Sequence, residues 1–165
     1  MAAVHIPMIA TLACLFAIGM VDPDEITVVS GTVWSISYSR GKPQRVRIYG
    51  LQESSQPEIR RKARLVSHKY VLEYKDLGLD IGRIGNTNSD PLPVEVSYTT
   101  WSGDLSYREQ NTRTFGNQLL GEGLAKIYPK DFREIGNKAH GGQLAYVQEM
   151  ARVRRKGMWA IKVPD

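Results

Sequence analysis

The chain has one cysteine and three histidines in 165 residues. Cys14 by itself cannot close an intrachain disulfide, so it carries no information on redox compartment and reads as a packing cysteine. His5, His68 and His140 lack the short spacings that metal-ligating histidines keep, and no phosphate-cradling P-loop appears. Gly31, Gly41 and Gly50 read as strand or turn glycines. There is no internal repeat. The longest stretch without Asp, Glu, Lys or Arg is the first twenty-one residues, and charged side chains begin at Asp22.

That uncharged stretch contains an apolar run from Val4 to Val21 (VHIPMIATLACLFAIGMV). As a helix it would span about 27 Å, close to a bilayer's hydrocarbon thickness. A cleaved secretory signal usually opens on a basic segment and none precedes this run, so the expectation is a retained membrane anchor; a buried N-terminal helix is the alternative. Pro7 falls in the first turn, where a missing amide donor costs little. The stub before the run has no lysine or arginine, and the acidic Asp22-Pro23-Asp24-Glu25 follows it, so the positive-inside bias leaves orientation open. The expected organisation is an anchor and acidic linker over residues 1–25 and one folded domain over 26–165, a length that suits a single well-buried core. The net charge of +5 suits nucleic acid, anionic lipid headgroups or an acidic protein, and does not choose among them.

From Ile26 the pattern has period two. Trp34, Ile36 and Tyr38 alternate with serines, and Val46 and Ile48 alternate with Arg45, Arg47 and Tyr49. Arg40-Gly41-Lys42-Pro43 supplies a connection, which predicts a hairpin with one basic solvated face. After Pro57 the period lengthens: Ile59, Ala63, Val66, Tyr70, Tyr74 and Leu77 form the stripe of an amphipathic helix, with Arg60, Arg61, Arg64 and Lys69 mostly off it. Residues 78–93, rich in glycine, proline and asparagine, read as a long irregular excursion. Strands follow around Val94 to Tyr98 and Leu105 to Arg108. A short helix is expected over Asn117–Lys126 and a longer one over Gln143–Lys156, with Leu144, Val147 and Ala151 inward and Arg152, Arg154, Arg155 and Lys156 outward. This order predicts an α+β fold, mainly β with about three helices, built on a small barrel of the OB type rather than a parallel βαβ sheet.

Two C-terminal stretches carry a family resemblance. Asn117-Gln-Leu-Leu-Gly-Glu-Gly-Leu-Ala-Lys126 looks like the "N-x-x-L-x-x-x-G-L-A" helix of the staphylococcal-nuclease family, and Ala151 to Trp159 (ARVRRKGMW) looks like its closing "A-x-x-x-x-x-G-x-W". Upstream, Val29-Ser-Gly-Thr-Val33 resembles "D-G-D-T-V", and Val46-Arg-Ile-Tyr-Gly-Leu-Gln52 resembles the strand that carries an arginine and ends on aspartate. The resemblance runs from Ile26 to Ile161 and implies a five-stranded OB barrel with three helices.

Enzymes of that family cleave phosphodiesters with a calcium ion, a glutamate that activates water and two arginines that neutralise the phosphate. A hard cation needs several oxygen ligands, and developing phosphorane charge needs guanidinium or metal stabilisation. Transferred residue by residue, this sequence departs from the pattern. Ser30-Gly31-Thr32 has no carboxylate where the family has two, and Gln52 replaces the strand-end aspartate, which implies loss of the metal site. Arg47 matches the first arginine. Glu53 lies next to that strand end, and Pro57-Glu58 resembles the family's "P-E" displaced along the chain. Ser102-Gly103-Asp104 stands where the second arginine would be, so Asp104 would repel a phosphate; Arg108 is out of register.

The resemblance therefore implies a degenerate nuclease domain with no catalytic residues, no metal and no cofactor. The expected role is a structural or accessory subunit of a larger membrane complex, held by lipid contact through Val4–Val21; analogy with membrane-anchored relatives suggests the mitochondrial inner membrane and a respiratory-type assembly. Two other classes stay open. One is nucleic-acid binding through Arg45, Arg47, Arg60, Arg61 and Arg64 with Trp34 or Tyr49 as stacking groups. The other is residual calcium-dependent cleavage through Arg47 and Glu53 or Glu58.

Overall fold

A computed structural model describes residues 25–38, 41–74, 79–84, 89–102, 109–131 and 139–160. The expected anchor Val4–Val21 lies outside them, as do Leu77, Asp104 and the expected strand at residues 105–108. Among the described residues no helix is long and apolar enough to cross a membrane.

The fold is α+β. In chain order the described elements are β1 (Glu25–Val28), β2 (Val33–Ser37), β3 (Gln44–Ile48), β4 (Leu51–Glu53), α1 (Pro57–Tyr74), β5 (Leu79–Arg83), β6 (Leu92–Ser102), β7 (Glu109–Thr114), α2 (Phe115–Gly121), β8 (Ala125–Ile127), α3 (Ala139–Val153) and a 3-10 turn (Gly157–Trp159). Five strands in the order β1-β2-β3-β6-β5 form a sheet curled into a half-barrel. The predicted hairpin is present, with Trp34 opposite Val46 and Ile36 opposite Gln44. The sheet then makes a parallel join, Val46 opposite Leu92 and Ile48 opposite Val94.

The eleven-residue β6 is the spine of the sheet. Ser97 and Tyr98 pair with β5 on one edge and with β7 on the other. Thus β7 continues the edge on which β3 sits. A second, two-stranded sheet joins β4 to β8.

Period-two alternation decides which face is buried. Trp34, Ile36, Val46, Ile48, Val94 and Val96 all point into the core, where α1 adds Ala63, Tyr70 and Val71, α2 adds Phe115, Leu119 and Leu120, and α3 adds Leu144. Each large side chain fully withdrawn from water contributes about 1.5 to 3 kcal/mol. The aromatic centre runs from Trp34 to Phe115 at 5.4 Å between ring centroids, on to Tyr70 at 4.3 Å, and from Tyr74 to a stacked Tyr98 at 3.8 Å.

Two expectations need correction. The excursion expected over residues 78–93 contains β5 and the start of β6. A five-residue strand interrupted by Asp80 and Gly82 has little local signal, and pairing with β6 makes it a strand. The helix expected over Asn117–Lys126 begins earlier, at Phe115, and stops at Gly121. Gly123 takes a left-handed φ of 66°, Leu124 donates to the Leu119 carbonyl and Gly123 to that of Leu120. This is a Schellman ending, after which Ala125 and Lys126 enter β8.

The long C-terminal helix, expected over Gln143–Lys156, spans Ala139–Val153; Leu144 and Ala151 are buried and Val147 half-buried, while Arg152 on the helix and Arg154, Arg155 and Lys156 just beyond it are exposed. It ends in the same motif, Lys156 donating to Ala151 and Arg155 to Arg152, with Arg155 at a φ of 51°. The two endings then meet. Met158 N–H donates to the Gly123 carbonyl at 2.9 Å, and a Cβ on either Gly123 or Gly157 would collide with the backbone of the other turn. The two stretches on which the resemblance rests are therefore packed against each other.

Candidate functional site

The sequence residues singled out for chemistry fall on the turn between β1 and β2, on β3, on β4 and at the start of α1. The turn is tight: Val29 and Ser30 N–H groups both donate to the Val33 carbonyl, and the Ser30 hydroxyl accepts from Val33 N–H at 3.1 Å. Gly31 sits against α1, where a Cβ would come within 2.5 Å of the Ala63 Cβ. Ser67 seals this approach, its hydroxyl shared between the carbonyls of Gly31 at 2.8 Å and Ala63 at 3.0 Å. Glycine here is a packing requirement of the turn against the helix.

Thr32 is buried, and its N–H and hydroxyl donate to Glu53 Oε1 at 3.0 and 3.3 Å. Glu53 is thus tied across the chain to the turn, and the turn is tied to β4. Gln52, beside it, points outward opposite Lys126 in the β4–β8 pair. Glu58 is exposed on the first turn of α1, so the two glutamates occupy different settings. Among the described residues, no group of three or more His, Cys, Asp or Glu side chains could hold a metal ion.

Arg47 is the most constrained residue of the region. Its Nη1 donates to Asp131 Oδ2 at 2.6 Å and its Nη2 to Oδ1 at 3.2 Å, a bidentate pair. Asp131 Oδ2 also accepts from the Gly50 N–H at 2.9 Å, and the Arg47 guanidinium lies 5.1 Å from the Tyr128 ring centroid. The side chains are 22% and 8% exposed. In this setting both carboxylate oxygens are satisfied by β3 and the turn after it, and the cation is neutralised from within the fold. A phosphate approaching Arg47 would meet an anion already bound there.

Asp131 was invisible as a site residue in the sequence, because it lies 84 positions from Arg47 and matches no motif. The available signal was weak: an acid just after the short strand that follows Leu124. Of the groups suited to stacking bases, Trp34 is corrected outright, since it is fully buried and packed on Phe115. Tyr49 is half-buried. Arg45, Arg60, Arg61 and Arg64 are exposed, but Arg47 is engaged. Asp104 lies outside the described residues.

No protein-family model matches the chain, and no curated protein matches it either.

Proposed function

We propose that this chain is a non-catalytic staphylococcal-nuclease-like module, tethered to a membrane by a transmembrane helix at Val4–Val21 and serving as an accessory subunit of a larger membrane complex. Its curled sheet reads as an OB-type barrel: a three-strand meander, a parallel join from β3 to β6, and α1 inserted before the strands that complete the sheet. The mitochondrial inner membrane, in a respiratory-type assembly, is the proposed setting.

The observation that carries the non-catalytic reading is the internal use of the matched arginine and of the carboxylate beside the strand end. Arg47 is clamped by Asp131, and Glu53 by Thr32. Catalysis of phosphodiester cleavage needs an arginine that meets developing charge and a carboxylate that meets water. Here Arg47 and Glu53 would each first have to break a bond that holds the fold together; Glu58 is exposed, but the arginine it would need is Arg47. What remains is a packed scaffold with exposed basic surface.

The test is to solubilise native membranes in mild detergent and locate the chain on a native gel. Co-migration with an assembly of hundreds of kilodaltons is the expected result. Migration as a single species near 18.5 kDa plus its detergent would overturn the subunit reading.

A further inference from the structure

We propose that the outward face of α1 lies on an anionic lipid surface. This rests on the membrane-tethered reading above and adds a second, peripheral contact to it.

The helix has eighteen residues and turns Ala63, Ser67, Tyr70 and Val71 to the core. Its opposite side is unusual for a solvated surface: Leu65 is 59% and Leu72 is 78% exposed. Seven residues apart, they share one side of the helix. Arg61, Lys62, His68 and Lys69 surround them on that side, Arg64 flanks it, and all are exposed. Against the lysines and arginines of this helix stand only Glu58, in the first turn, and Glu73, near the end. Among the described residues the α1 lysines and arginines enter no ion pair, in contrast to Arg47 with Asp131 and Arg152 with Glu149.

Large apolar side chains ringed by unpaired cations are the signature of a helix lying in a membrane interface, where leucines enter the acyl boundary and the long basic stems reach headgroups. A nucleic acid would use the cations and leave both leucines in water. Chain geometry adds a second argument. The apolar run ends at Val21, four positions before Glu25, a stretch of at most about 14 Å. β1, which begins at Glu25, packs beside α1. A bilayer holding that run is therefore within reach of this helix.

The experiment uses the full chain, with Cys14→Ser and His68→Cys carrying an environment-sensitive NBD fluorophore, and a control carrying the probe through Tyr146→Cys on α3. Each is reconstituted with vesicles of phosphatidylcholine alone or of phosphatidylcholine with phosphatidylserine, and flotation is scored alongside fluorescence. Expected is a several-fold brightening at position 68 on the anionic vesicles only, with no change at position 146. Replacing Arg61, Lys62 and Lys69 with glutamine should return the signal to the neutral-vesicle level, as three lost cations weaken surface docking on the order of a hundredfold.

A dim probe on both vesicles, with the chain floating on both, overturns the α1 contact and leaves the tether standing. Flotation and brightening on anionic vesicles alone keeps the α1 contact and overturns the tether. Equal brightening at positions 68 and 146, or brightening with a single-stranded oligonucleotide and not with vesicles, overturns the lipid assignment.

Discussion

Two regions of this molecule use basic side chains in opposite ways. At the corner between β3 and the helical residues 129–131 that follow β8, one arginine is held by a bidentate carboxylate that also accepts a backbone N–H. On α1, Arg60, Arg61, Lys62, Arg64 and Lys69 stand in solvent without an ion pair among the described residues. The corner spends its charge on the fold, and the helix keeps its charge for something outside. The difference separates a cation whose pairing supports the fold from cations whose removal should alter only what the surface touches. It also shows why matching an arginine to a catalytic motif says little about activity until its partner is known.

The sharpest test is Asp131→Ala. It strips the Arg47 guanidinium of its counter-ion and the Gly50 N–H of its acceptor, and breaking such a pair from one side costs about 3 kcal/mol at this degree of burial. Urea denaturation should show the loss as a lower midpoint at unchanged slope. The double variant Arg47→Met with Asp131→Leu should recover part of it, because no uncompensated charge then remains while the Gly50 N–H still lacks its acceptor. If Asp131→Ala alone is silent, Arg47 is not structurally committed and the contrast with α1 collapses.

Gly31→Ala should cost about 2 kcal/mol, the usual range for forcing a methyl into a filled site. The cause is the Ala63 Cβ at 2.5 Å from the added carbon. Adding Ala63→Gly should return part of the stability, less about 1 kcal/mol for glycine inside a helix. A thermal melt that shows no rescue would place the strain in the turn itself rather than in its contact with α1.

Much of this contrast was legible before the fold was known, and the legible part was the periodic part. Trp34, Ile36, Val46 and Ile48 alternate, and Ala63 and Tyr70 recur at helical spacing, so the hairpin and α1 could be read from local pattern. The basic outer side of α1 follows from the same spacing. What could not be read depends on contacts between distant segments. β5 is a strand because β6 pairs with it, and α2 ends early because Gly123 meets the turn at Gly157. Likewise, Arg47 carries its motif plainly, but Asp131 lies 84 positions away and decides what that arginine can do. The stacking role suggested for Trp34 failed for a related reason, since an aromatic on an alternating strand goes to the core.

A smaller effect is expected in the core beside α1. The Tyr70 hydroxyl is buried without a hydrogen-bond partner, and burial pushes its phenol above the ordinary tyrosine range; the hydrogen bond to Tyr98 does the same for Tyr74. A raised folded-state value means that the neutral form is favoured in the fold. Its contribution to stability is complete below the unfolded value near 10 and declines as pH rises beyond it. Tyr70→Phe should therefore change stability by less than about 1 kcal/mol at neutral pH, since only an unsatisfied hydroxyl is lost. It should also flatten the decline above pH ~10, seen by following the denaturation midpoint against pH. An unchanged alkaline profile would mean that the hydroxyl reaches solvent or a partner.

The smallest effect is expected where the charge is densest. Arg61→Gln with Lys62→Gln removes two adjacent exposed cations from a helix face that also carries Arg64 and Lys69, and no ion pair among the described residues is broken. Surface substitutions of this kind change stability by less than about 0.5 kcal/mol, and relief of like-charge repulsion favours the variant slightly at low salt. The measurement is a pair of urea titrations at low and high ionic strength, with the difference between variant and parent shrinking as salt rises. A loss above about 1 kcal/mol would mean that these cations, like Arg47, have work inside the fold. The two regions would then differ in degree only, and the α1 face would lose its claim to an external surface.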